Sequence, residues 1–304
     1  MPRKIFLIFI FIIIAIALFL IITFRFPDKN QETSSNISDT IYKISAIDLP
    51  QKIDFAGEAA PLNIYYVQEN LDRELIVNTY WHSSTLLSLK RAARWFPVIE
   101  PILKNNGIPD DFKYLALIES GLENVTSPAG AKGFWQFLKG TAKDFGLEVN
   151  NEVDERYNVE KATRAACKYF NKAHEKYKNW TLVAAAFNAG NKGIDRQIEK
   201  QKVNNYYSLL LDDETERYVF RILAIKAIFE NPEKYNFYLE KDDLYLPIPT
   251  KTIEVKSSIK NLADFAIENG INYRILKEFN PWLRNGELKN KKHKTYEIKI
   301  PIFE

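Results

Sequence analysis

Apolar residues recur at spacings of three and four through most of residues 62–230, and alternate only from about residue 252 onward. That change of period predicts helices first and a small mixed module last. The apolar spacing runs over 62–79 and again over 81–103, where Lys90, Arg91 and Arg94 take the outer face, Pro97 and Pro101 are kinks or first-turn residues, and Gly107 closes the element. A helix over 109–120 starts with Pro109, Asp110 and Asp111, which suit a first turn, and stops at Gly121. Residues 124–133 read as a loop whose glycines let it pass close to a ligand. Thr141 and Asp144 resemble a capping box opening the next helix. Asn158 suits the N-cap of a long helix to about Tyr177, and 180–189 form a short alanine-rich helix ended by Gly190. Residues 193–207 are polar, an exposed helix or loop. Asp212 or Asp213 then caps an apolar helix through Phe229, ended by Asn231 and Pro232. In the tail, 253–255 and 296–301 alternate as strands, and 262–270 and 273–279 read as short helices.

One side chain breaks the apolar pattern of 109–120. At about 100° per residue, Glu119 shares a face with Phe112, Leu115 and Ala116. A carboxyl against apolar walls has its charged form disfavoured, which raises its pKa toward that of a general acid working near neutral pH. The plain alternative is a helix-end glutamate turned to solvent, and the helix by itself favours that alternative. Trp135 and Phe137 follow the loop, and core packing or sugar stacking accounts for such rings equally well.

Composition narrows the class. The 304 residues suffice for one substantial core and a smaller module; 46% are hydrophobic and 27% charged, as in a globular chain. A spread net charge of +3 does not indicate nucleic-acid binding. Cys167 stands alone, so no internal disulfide forms, and it reads as a small buried hydrophobe. His82, His174 and His293 lack metal-ligand spacing, and neither a metal nor a cofactor is expected. Residues 5–24 carry Thr23 as their one polar side chain and at 1.5 Å per residue span about 30 Å of hydrocarbon. Arg3 and Lys4 place the amino terminus in the cytoplasm, with Arg25 working against that orientation. No small-residue cleavage site follows Phe24 and no cysteine directly follows the span, so an uncleaved anchor is preferred over a signal peptide or a lipid anchor. Residues 27–59 show no sustained period and read as a flexible tether.

After Glu119 and Ser120 come Gly133-Phe134-Trp135-Gln136, Ala186-Phe187-Asn188-Ala189-Gly190, and Glu214-Thr215-Glu216-Arg217-Tyr218-Val219. In this order and spacing, over roughly residues 65–235, the set resembles lytic transglycosylases of the goose-type-lysozyme-like family, in particular the membrane-bound murein transglycosylase D group. Phe134 and Trp135 replace the family's commoner Leu-Met pair, and Phe187 stands where Tyr is usual. The tail resembles a LysM module, with Ser257, Ser258 and Ile259 where that module usually has Gly-Asp-Thr, so weak glycan binding is expected of it. The resemblance implies a mainly α protein: anchor 1–26, linker 27–59, a lysozyme-like helical catalytic domain over 60–240, and a small α+β (βααβ) LysM-like module over 244–304. It implies cleavage of the MurNAc-GlcNAc β-1,4 bond of peptidoglycan with 1,6-anhydroMurNAc ends, by a protein anchored in the inner membrane and facing the periplasm. Glu119 would be the catalytic acid and base, and Ser120, Gly133, Gln136, Phe187, Asn188 and Tyr218 would bind substrate. A hydrolase of the same fold, with Glu123 as the nearest second acid, and an inactive wall-binding scaffold are the alternatives.

Overall fold

Helix boundaries in the computed structural model, which describes residues 44–303, fall where short polar side chains satisfy free backbone N–H groups. A two-residue hairpin, β1 (Asp54–Phe55) and β2 (Glu58–Ala59), precedes α1 (Tyr65–Tyr80) and α2 (His82–Asn105), the latter carrying Pro97 and Pro101 inside it. A 3-10 turn (Asp110–Phe112) leads into α3 (Lys113–Ser120), followed by α4 (Lys139–Asp144), α5 (Val159–Tyr177), α6 (Trp180–Ala189), α7 (Asn191–Gln201) and α8 (Asp213–Glu230). The tail runs β3 (Thr250–Val255), α9 (Leu262–Glu268), α10 (Tyr273–Phe279) and β4 (Tyr296–Pro301). Asn158, Asn179, Asp212, Asn261 and Asn272 each accept a backbone N–H at the start of α5, α6, α8, α9 and α10, each such cap contributing about 1 kcal/mol.

One apolar core joins the helices: α1 lies along α8, α2 against α5, and α5 and α8 both against α6. Phe112, Trp135, Phe170, Leu182 and Leu223 are among its fully enclosed members. In the tail, β3 and β4 pair antiparallel from Thr250 opposite Pro301 to Val255 opposite Tyr296, and the two helices pack against them. Val153 and Tyr157 of the helical part enter the tail's core. Backbone bonds from Asp154 to Trp282 (2.9 Å) and from Arg284 to Glu152 (2.7 Å) tie the parts together. The helical domain followed by a βααβ tail agrees with the mainly α expectation.

Several expectations need correction. Of the expected tether, residues 46–59 belong to the folded unit: Phe55 is enclosed, the Glu58 carboxylate accepts the N–H groups of Trp180 and Thr181 (2.5 and 2.9 Å) at the positive end of α6, and Lys226 bonds the carbonyl and carboxylate of Asp54. These anchors lie more than a hundred residues away, which no local period reveals. The hairpin also means that strand pairing occurs before the tail. Thr141 and Asp144 do not form a capping box, because α4 begins at Lys139 after Leu138 and contains both. Residues 193–207 are not wholly exposed: Ile194, Tyr206 and Tyr207 are buried. Trp135 and Phe137 are core rings, and the Trp135 indole donates to the Thr163 hydroxyl at 2.9 Å. The expected span 5–24 and the first part of the tether lie outside the described residues. Among the described residues no helix is long and apolar enough to cross a membrane.

Candidate active site

The left-handed Gly121 ends α3, its N–H bonding the Leu117 carbonyl at 2.7 Å, so the helix stops at Ser120 and leaves Glu119 in its last turn. Against it comes Tyr218 from the second turn of α8, whose start is held by Asp212 and by the buried Tyr206, which donates to the Glu216 carbonyl. The Tyr218 hydroxyl donates to Glu119 Oε1 at 2.6 Å across 99 positions of sequence. Tyr218 itself is 2% exposed, whereas Glu119 keeps part of its surface open to solvent.

Burial pushes the Glu119 carboxyl from its ordinary value near 4.5 up to about 7. The hydrogen bond from Tyr218 opposes this, the charge of Glu214 adds to it, and the charge of Arg221 opposes it. At neutral pH the group is therefore divided between acid and carboxylate, the condition a side chain needs to give a proton and take one back. The Tyr218 phenol is held well above its ordinary value, chiefly by burial and then by the neighbouring Glu119, and so stays a donor.

The other expected residues surround this pair in different ways. Ser120 Oγ lies 3.0 Å from the carbonyls of Ala116 and Phe134 and ties the helix end to the following loop. Gly133 has φ +76°, and a Cβ there would fall 1.9 Å from the Arg156 carbonyl oxygen. The close approach that demands glycine is therefore to protein backbone, a correction to the reading that this glycine makes room for a ligand. Gln136, with φ +46°, donates through Nε2 to the carbonyls of Gly133 (2.6 Å) and Val125 (3.3 Å), so its amide hydrogens brace the loop and its Oε1 remains. Arg156, buried and paired with Asp154 at 2.7 Å, clamps the same loop through the carbonyls of Gly130 and Phe137. Phe187 is partly buried and meets the rings of Trp135, Phe137, Tyr169 and Phe170. Asn188 Oδ1 lies 2.9 Å from the Thr215 hydroxyl, joining α6 to α8.

Glu123, the nearest acid in sequence, is half-exposed and pairs with Arg91 at 2.9 Å. Sequence reasoning passed over Glu214 and Arg221, whose charges reach Glu119; the Glu-Thr-x-x-Tyr stretch carried the signal for the first, and nothing local marks the second. Among the described residues no group of three or more His, Cys, Asp or Glu is placed to hold a metal. A cavity of about 210 Å³ between the helical part and the tail, walled by Trp95, Phe279 and Trp282, contains none of the expected site residues.

Residues 96–209 match the family described as Transglycosylase SLT domain, a span that includes Glu119, Gln136 and Asn188 and ends short of Tyr218. Residues 251–304 match the Soluble lytic transglycosylase C-terminal LysM-like domain. Membrane-bound lytic murein transglycosylase D of Escherichia coli (strain K12) is 27% identical over 228 residues, 73% of this chain and 49% of that protein. The corresponding protein of E. coli O6:H1 gives the same values. A putative tributyltin chloride resistance protein of Alteromonas sp. (strain M-1) is 28% identical over 129 residues, 41% of this chain and 62% of that one. The chain spans about half the length of the transglycosylases it matches. It thus carries a transglycosylase SLT domain followed by a C-terminal LysM-like domain and is homologous to the membrane-bound lytic murein transglycosylases D.

Proposed function

We propose that this chain is a lytic transglycosylase that cleaves the MurNAc-GlcNAc β-1,4 bond of peptidoglycan and leaves 1,6-anhydroMurNAc ends. The observation that carries the reading is a half-buried Glu119 whose direct partner, at 2.6 Å, is a tyrosine rather than a second carboxylate. Glycosidases that add water use two acids in opposed roles. With one, the same group acts twice. Protonated Glu119 donates to the leaving GlcNAc oxygen as C1 of MurNAc gains oxocarbenium character, and the 2-acetamido oxygen of the substrate shields C1. As a carboxylate it then takes the proton of the MurNAc C6 hydroxyl, whose oxygen bonds C1 and closes the anhydro ring. Tyr218 holds the carboxyl in place through both steps. Asn188 would hold the acetamido group, Gln136 and Ser120 would set the loop and helix end around the sugar, and Gly133 and Phe187 would shape the wall behind it.

Peptidoglycan strands would be the partner, bound weakly by the tail, with neither nucleic acid nor a cofactor expected. The enzyme would face the periplasm, tethered to the inner membrane through residues 5–24, and the native amino terminus, read from purified protein, tests that anchor. Mass analysis of digested peptidoglycan tests the chemistry. Anhydro ends lack one water relative to reducing ends. Products carrying only reducing ends, with labelled water oxygen at C1, would replace the reading with hydrolysis.

A further inference from the structure

Between α5 and the tail lies a cleft of about 360 Å³ whose charges do not cancel. Lys161, Arg164 and Lys168 line it from one face of α5, three and four residues apart, and Lys294 of the tail lines the same opening. Its two carboxylates are both engaged. Glu155 pairs with Lys161 at 2.5 Å and accepts the Glu148 N–H at 2.7 Å, while Glu148 takes Lys294 at 2.9 Å and the Tyr296 hydroxyl at 3.1 Å. None of the ion pairs among the described residues engages Arg164 or Lys168, both of them exposed. Lys168 Nζ lies 3.5 Å from where a Cβ on Gly146 would stand, which sets the ammonium at the wall of the cleft. One turn on, Lys172 lies over the Phe145 ring, 5.9 Å from its centre, and the positive face continues until Glu175. Each acid thus neutralises one cation and two cations are left over, an arrangement that attracts anions.

We propose that Arg164 and Lys168 in this cleft bind the carboxylates of the peptide stems that MurNAc carries, so that the chain prefers stem-bearing glycan to bare glycan. A guanidinium and an ammonium one turn apart suit a carboxylate, the first as a fork giving two parallel hydrogen bonds and the second as a mobile point charge. The cleft is within a stem's reach of the sugar site. Phe187, the wall behind the sugar, packs on Tyr169 at 5.2 Å between ring centres, Tyr169 packs on Phe145 at 5.3 Å, and Phe145 lines the cleft. About three extended residues, at about 3.3–3.6 Å each, cover those two steps. An anionic lipid surface is the rival partner for a basic face. Helices that lie on such surfaces add exposed apolar side chains to the basic ones, and none of the large exposed apolar residues lines this cleft. The inference rests on the reading of peptidoglycan as the substrate.

The test uses the full chain, with kcat and KM measured on glycan strands that keep their stems and on strands stripped of them by an amidase. Arg164→Ala combined with Lys168→Ala should raise KM about tenfold on stem-bearing strands, leave kcat as it is and change nothing on bare ones. Exchanging the two cations, Arg164→Lys with Lys168→Arg, should recover most of the affinity. Lys104→Ala, which removes an exposed cation from α2, should cost nothing on either substrate. Raised salt should erase the wild-type preference for stems. An equal loss on both substrates would assign the cations to the glycan or to the fold, and an unmoved KM on both would leave them a solvated face; either result overturns the proposal. Partitioning of the chain between phosphatidylglycerol and phosphatidylcholine vesicles covers the rival: an anionic preference that the double variant loses, with KM unmoved, would replace stems with a lipid surface. Calorimetry with a soluble stem-bearing disaccharide reads binding without turnover. Binding that the double variant weakens, in a chain that yields only reducing ends, would overturn the proposed reaction and leave the stem site standing.

Discussion

Two glutamates, Glu119 half-buried at the end of α3 and Glu74 enclosed in the middle of α1, show what surroundings do to one side chain. Glu74 meets three arginines and serves as an anion pinning α1 to α8. Glu119 meets a phenol in a partly buried place, with the charges of Glu214 and Arg221 felt from a distance, and its own charge is resisted. Removing water from a carboxylate costs several kcal/mol in either place, and paired cations offset the cost at one site only. The first site spends its charge on cohesion. The second keeps a proton in use at neutral pH, at the expense of stability.

The largest effect that would break this contrast is on folding. Glu74→Ala empties a buried position and takes the partner from arginines that are themselves partly exposed, and should destabilise the chain by about 2–3 kcal/mol in urea denaturation; a cost below about 1 kcal/mol would show that the arginines find solvent freely. Glu119→Gln keeps shape and loses the proton, so anhydro-muropeptide formation should fall about a hundredfold or more. The same variant should stabilise the fold. Folded Glu119 holds its proton up to about pH 7, against about 4.5 for the ordinary carboxyl. Folding therefore takes up a proton between those values, and stability falls as pH rises through that window. Glu119→Gln removes this decline, a gain of about 2–3 kcal/mol at pH 8 and little at pH 4, read from denaturation midpoints. Smallest should be Tyr218→Phe. It deletes one hydrogen bond to the acid, a loss of about tenfold in kcat, and because that bond favours the carboxylate, the basic limb should move to higher pH.

Much of the fold was legible because its signals are local. The Asn158 cap and the end of α5 at Tyr177, the stop at Gly121, and the strand-helix-helix-strand order of the tail all arise from hydrogen bonds and side-chain periods within a few residues. Failures came where distant chain decides. Phe55 and Glu58 look like tether until α6 and the core are set against them. Thr141 is a good cap residue, yet α4 had already started at Lys139.

For the site, the sequence by itself determined that one acid ends an apolar helix and that its companions come in a family's order, since residue types and spacings are written in the chain. Only tertiary structure decided what each companion does. Packing α3 against α8 brings Tyr218 onto Glu119 across 99 residues. Folding the loop over Arg156 makes Gly133 a backbone contact and occupies the Gln136 amide. Laying α1 along α8 gathers the arginines on Glu74. Each of these is a contact between elements, and its energy depends on which surfaces water has left, a property of the assembled core that no short stretch of sequence carries.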